Sequence, residues 1–228
     1  MKNIWGQFAL GMAVALTLSS CASISVQPGT ARVTETKPEL IYVADFDTTN
    51  ADFRVDREGA ELADFKQNLQ AMMQTGLVTE ITDKLGPAVA DHKSDHGRHA
   101  RSWVIRGEFK TVVQGSRLLR SAIGFGAGGT KLETQVEVYE LSDLNTPIMT
   151  FSTTGGSNAE PGAIASLTTD PLYLAIGGVG GIAHGLSEDT ARTSREITAE
   201  LSDYMFNRGW ISEDQRIEPK HANGANPW

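Results

Sequence analysis

The chain has 228 residues, 40% of them hydrophobic and 21% charged, with 20 basic residues against 28 acidic ones for a formal net charge of −8. That is ordinary globular composition, which excludes a disordered or collagen-like chain. One cysteine excludes an internal disulfide framework and a thiolate metal cluster. The acidic balance repels a phosphate backbone, so nucleic acid is not an expected partner.

At the amino end, Lys2 precedes an apolar run, Phe8 to Leu18, broken only by Thr17. The run is far below the roughly 20 residues that span a bilayer and suits the core of a signal peptide. Two small residues and the cysteine follow, as Leu18-Ser19-Ser20-Cys21. This resembles the lipobox of bacterial lipoproteins. The resemblance implies cleavage after residue 20 and acylation of Cys21 by palmitate-like chains, with the membrane as partner through that anchor. Each buried methylene contributes about 0.8 kcal/mol, so two or more chains hold stably where one holds marginally. Ala22 in place of Asp favours the outer membrane, by analogy with enterobacterial sorting.

Residues 21–38 are polar with two prolines, and are read as the lipidated Cys and a flexible tether. A single α/β domain is expected over 39–212. Leu40 to Phe46 is apolar on both alternating faces, the pattern of a central strand covered on each side. Residues 57–86 then carry helical spacing through Leu62, Phe65, Leu69, Met72, Met73, Leu77, Ile81 and Leu85, stopped by Gly86-Pro87, with 56–63 open to a loop reading. Trp103 to Gln114 and Lys131 to Leu141 alternate as half-solvated strands, and Ile148 to Thr153 reads as a hairpin partner. A helix is expected over 189–208, capped by Ser187, with Glu188 and Asp189 at its positive end and Gly209 as its stop. Residues 213–228 read as a flexible tail. The fold class is α+β, a mixed and largely antiparallel sheet packed by a long helix after the first strand and by a C-terminal helix.

Two glycine-rich apolar stretches punctuate this plan, residues 122–129 and 175–185. Gly124, Gly126 and Gly129 match a dinucleotide-loop spacing, but lack the preceding strand and following helix that bring phosphate to free amides. Gly177, Gly181 and Gly185 recur every four residues, which on a helix makes a bare face open to tight internal packing, self-association or bilayer contact. Arg117 and Arg120 flank the first stretch and could pair with an acidic partner. These arginines, with Gly124, Gly126, Gly128, Gly177, Gly181 and Gly185, form the candidate interaction surface.

His92, His96 and His99 have the spacing of a zinc set, but Gly97 and a uniformly charged neighbourhood favour an exposed loop. Asp45, Asp47, Asp52 and Asp56 lack the Gly and final Glu of an EF-hand and are read as a solvated strand end. No metal, no cofactor and no catalytic residue is assigned, since GxSxG, HExxH and P-loop patterns are missing from the sequence.

One further set of residues carries a likeness. A strand ending Gly107-Glu108-Phe109, then Gly115-Ser116-Arg117, Arg120, and glycines at 124, 126 and 128 before another strand resemble the bacterial lipoprotein family called domain of unknown function 4410. The likeness extends to Tyr42–Asp47 and to Gly209-Trp210-Ile211. More distantly, the lipobox, the VADFD strand and the glycine segment are similar to curli-secretion lipoproteins, a family of oligomeric outer-membrane pores. The first resemblance implies no established activity. The expectation is therefore a lipid-anchored, non-catalytic binding or assembly module of the cell envelope, with a periplasmic domain and an envelope protein or its own copies as partner. An oligomeric secretion or transport pore is the alternative.

Overall fold

The computed structural model describes residues 23–91, 101–115, 129–157 and 184–222. In chain order these form β1 (Ser23–Ala31), β2 (Leu40–Val43), β3 (Asp52–Arg54), α1 (Gly59–Lys84), β4 (Ala88–Ala90), β5 (Ser102–Val113), β6 (Thr130–Glu140), β7 (Met149–Ser157), α2 (His184–Asn207) and a 3-10 turn (Glu213–Gln215). The strands make one mixed sheet in the order β1-β7-β6-β5-β2-β4, with β3 continuing beside the far part of β5. The pairs β5–β6, β6–β7 and β7–β1 are antiparallel, whereas β2 pairs in parallel with β5 and β4, and β3 in parallel with β5. The expected α+β class and its two helices are what the fold contains.

The core follows from period-two alternation. Trp103, Ile105 and Phe109 of β5, Leu132, Val136 and Val138 of β6, and Met149 and Phe151 of β7 share one face and are buried, while Glu133, Gln135 and Glu137 lie half-buried on the other. Both helices cover that apolar face and pack on each other, α1 over β2 and β4, α2 over β6, β7 and β1. In α1 the buried residues are Phe65, Leu69, Met72, Met73, Leu77 and Ile81. The helix ends as its sequence dictates: the amides of Leu85 and Gly86 both donate to the Ile81 carbonyl (2.8 and 3.0 Å), and Pro87 follows. Gly107 leaves the space that the buried Phe46 ring fills, since a β-carbon there would lie 2.3 Å from the ring.

The sequence reading fails at both termini. The segment read as a flexible tether contains β1, which pairs antiparallel with β7 from Ser23↔Gly156 to Ala31↔Met149. Its polarity and two prolines suggested a loop, but proline is compatible with an edge strand. A β-carbon at Gly29 would come within 2.4 Å of the Thr150 carbonyl oxygen, so this glycine permits the close approach of the two strands. Beyond β1, the Thr34 amide donates to the Tyr204 hydroxyl, that hydroxyl donates to the Arg32 carbonyl, and Arg208 donates to the Thr34 carbonyl (3.2, 2.7 and 2.8 Å). These bonds clamp residues 32–34 to the end of α2.

The segment read as a flexible tail is likewise engaged as far as Ala222. α2 ends at Asn207 with Gly209 at φ 71°, and the amides of Gly209 and Trp210 close back on the carbonyls of Phe206 and Met205 (2.8 and 3.0 Å). That pair of bonds is a Schellman cap. Trp210 then packs on Trp103 and Tyr204, and the chain turns through the 3-10 element into a strap over α2.

Candidate functional site

One end of the sheet holds the described residues that flank the features singled out in the sequence. Ser23, which begins β1, pairs with Gly156 near the end of β7; Gly156 pairs with Lys131 near the start of β6; and Lys131 pairs with Val113 at the end of β5. Arg54 of β3 completes the row beside Val113. The chain leaves this end at Gly115 and returns at Gly129, and leaves it again at Ser157. It re-enters through the first turns of α2, where Thr130 Oγ1 donates to Asp189 Oδ2 (2.5 Å). The described residues that flank both glycine-rich stretches therefore stand at the end of the sheet where β1 begins. Cys21 precedes Ser23 by two residues, a chain reach of about 7 Å.

Cys21, Arg117, Arg120, Gly124, Gly126, Gly128, Gly177 and Gly181 lie outside the described residues, as do His92, His96 and His99. Gly185 is described: it is half-buried in the first turn of α2. Asp45, Asp47, Asp52 and Asp56 stand on the β2 to α1 connection. Asp47 accepts bonds from the Thr49 hydroxyl and amide (2.6 and 2.8 Å), which hold its carboxyl below the ordinary range, and Asp52 pairs with Arg54 (2.7 Å).

The sequence misplaces the beginning of α2. The helix starts at His184, so Glu188 and Asp189 fall beyond its first turn rather than at its positive end. Both are buried and share Arg192, which reaches Glu188 at 3.0 Å and Asp189 at 2.9 Å. Burial pushes the Asp189 carboxyl above its ordinary value despite the Thr130 and Arg192 bonds that oppose the shift.

A second carboxylate row, which the apolar stripe Ile197, Leu201 and Tyr204 gave no reason to expect, lies under the strap. Asp203, fully buried, accepts from Arg216 Nε and Nη2 (2.8 and 2.6 Å). Glu200 meets His221 Nε2 at 2.5 Å, and Glu196 accepts the Lys220 amide. Burial also pushes Glu196 upward. The signal available in sequence was spacing alone: Glu196, Glu200 and Asp203 fall at i, i+4 and i+7, one line along a helix.

Fold and site define a two-layer α+β domain whose first strand closes one sheet edge and whose glycine-rich connections leave the same end of the sheet. The chain belongs to the family described as a domain of unknown function, DUF4410, which matches residues 41–169. Among solved structures it is similar to two PelC dodecamers from Paraburkholderia phytofirmans. One, a single-substitution variant, is 11% identical, covers 76% of this chain and 96% of its own, and has a TM-score of 0.39. The other is 9% identical, covers 76% and 97%, and has the same TM-score of 0.39. No curated protein matches the sequence.

Proposed function

We propose that this chain is a lipid-anchored protein of the bacterial envelope that acts by binding or assembly rather than by catalysis, held through Cys21 to the outer membrane and facing the periplasm. The observation that carries the proposal is the lipobox-like Leu18-Ser19-Ser20-Cys21 joined to a domain whose first strand begins at Ser23. With about 7 Å of chain between anchor and sheet, the body has no slack and rests with the β1-start end against the lipid. The described residues that flank both apolar glycine-rich stretches stand at that same end, which supports the orientation. A non-catalytic role is supported by where the buried acids go: Glu188 and Asp189 are engaged by Arg192, and Asp203 by Arg216.

The test uses the lipoprotein purified from envelopes and reconstituted into vesicles. Acylation consumes the only native thiol, so a cysteine at Lys131 or at Asn145 becomes a unique labelling point. Lys131 stands near the start of β6 and Asn145 in the turn beyond its other end, a separation of about 30 Å along the strand. A fluorophore at 131 is expected to be quenched by nitroxide lipids and one at 145 is not. Protein that fails to associate with vesicles contradicts the anchor; association with equal quenching at both positions contradicts the orientation.

A second reading, self-association into an oligomeric pore component, is favoured by the four-residue recurrence of Gly177, Gly181 and Gly185. It predicts a discrete multimer of the acylated protein in detergent, and a strict monomer removes it.

A further inference from the structure

Residues 32–39 join β1 at one edge of the sheet to β2, and the crossing passes β7, β6 and β5, about 19 Å at the usual strand spacing. Extended, the same residues reach about 27 Å, so the segment once released extends past the edge of its own sheet. Its joint to the body is poorly satisfied. Val33 is 64% exposed, whereas Thr34 beside it is 2% exposed. The Thr34 amide and carbonyl are bonded to Tyr204 and Arg208, but Thr34 Oγ1 has no hydrogen-bond partner, and neither has Arg208 Nε. With Thr193 Oγ1 they are the buried side-chain polar atoms left unpaired among the described residues, and two of the three belong to this joint. An unpaired buried polar group destabilises the arrangement that buries it.

β1 itself is held well, and by contacts that any copy of it can make. Its ladder to β7 runs from Ser23 to Ala31, and Ile24 and Val26 are buried on the core side. The Arg32 amide donates to the Ile148 carbonyl (2.8 Å), the Arg32 side chain pairs with Glu140 (3.3 Å), and the Tyr204 hydroxyl donates to the Arg32 carbonyl (2.7 Å). Residues 23–32 of a second molecule are the same segment and form each of these bonds unchanged. The strand is thus satisfied and transferable, while the joint that ties it to its own chain carries the unpaired atoms. A strained connection of this kind favours exchange of the element it holds.

We propose that residues 33–39 are a hinge through which β1 passes to the β7 edge of a second copy of this chain, whose sheet it completes, while the β1 of a copy fills the place it leaves. Straightening the hinge takes Thr34 out of the packing that leaves its hydroxyl unpaired. Ser23 keeps its place opposite Gly156, so each Cys21 stays at the same end of a sheet. The exchange depends neither on acylation of Cys21 nor on the glycine recurrence.

A disulfide across the β1–β7 pair reads which chain supplies the strand. Ser25 stands opposite Thr154, and Gln27 opposite Ser152. Full-length Ser25→Cys/Thr154→Cys protein, purified in detergent and oxidised, closes the same bond whether β1 is its own or a neighbour's. Only the covalent mass under denaturing, non-reducing conditions differs. Most of the oxidised protein is expected at twice the chain mass or more, in excess of either single variant. A bond closed wholly within single chains overturns the proposal even where the protein is oligomeric, because assembly through any other surface leaves β1 on its own sheet. Gln27→Cys/Ser152→Cys gives the same reading at a second position. Thr34→Val removes the unpaired hydroxyl and keeps the side chain's shape, and is expected to lower the interchain share by roughly threefold or more. An unchanged share in that variant shows that the joint does not drive exchange and also overturns the proposal.

Discussion

The two helices lie side by side on one face of the sheet and are buried by opposite means. α1 turns an apolar line from Phe65 to Ile81 inward and leaves Glu61, Asp64 and Gln67 in water, so one stripe accounts for its position. α2 is buried nearly all round, and Glu188, Asp189, Thr190, Ser194, Glu196, Thr198, Glu200 and Asp203 are buried with it. Some of these groups are satisfied locally, as where the hydroxyls of Thr190, Ser194 and Thr198 donate to carbonyls one turn back. Others need partners distant in sequence, Thr130 for Asp189 and Arg216 for Asp203. A helix placed by oil needs a pattern; a helix placed by polar contacts needs the rest of the molecule.

That contrast is broken most severely at the side chain on which the end of α2 and the turn after it are packed. Trp103, 2% exposed, meets Tyr204 of α2 at 5.8 Å between ring centroids and Trp210 at 5.9 Å. Trp103→Ala is expected to cost about 3–5 kcal/mol, read as a fall in the urea midpoint. Next comes the polar side. Arg216→Ala leaves Asp203 without its cation at a cost of about 3 kcal/mol, whereas Asp203→Leu with Arg216→Met recovers most of that loss in a double-mutant cycle. Gly107→Ala forces a β-carbon into the Phe46 ring and is expected to cost about 1–3 kcal/mol by overpacking, which calorimetry can resolve.

A pH titration separates the helices further. Because the folded Asp189 carboxyl lies above its unfolded value, the native state holds that proton more tightly; its contribution is present below the unfolded value and lost as pH rises through the folded one. Urea midpoints of wild type relative to Asp189→Asn should therefore fall as pH rises across that window, and a flat difference refutes the shift. The smallest effect belongs to α1's wet side, where Asp64→Ala should change stability by less than about 0.5 kcal/mol in urea unfolding.

What was legible in the sequence follows the same division. α1, β2, β5, β6 and the β6–β7 hairpin were readable because burial of one face imposes a period of 3.6 or 2 on residues such as Leu69, Met73 and Leu77, or Leu132, Val136 and Val138. The Gly209 stop was readable because a left-handed backbone favours glycine. β1 was not, since Pro28 and Gly29 imitate a loop while the position at an edge makes both acceptable. The strap and the acidic line beneath it were not, because ion pairs between residues 203 and 216 or 200 and 221 leave no periodic trace. Of the residues chosen as an interaction surface, only Gly185 falls among those described, and the sheet end to which its stretch connects is what fold topology adds.

The central claim is the anchor, and the most direct measurement is the intact mass of the mature protein isolated from its native envelope. The account predicts a chain beginning at residue 21 whose mass exceeds that of the polypeptide by a diacylglyceryl group and a further acyl chain. A product with a bare thiol at Cys21, or one retaining residues 1–20, contradicts it.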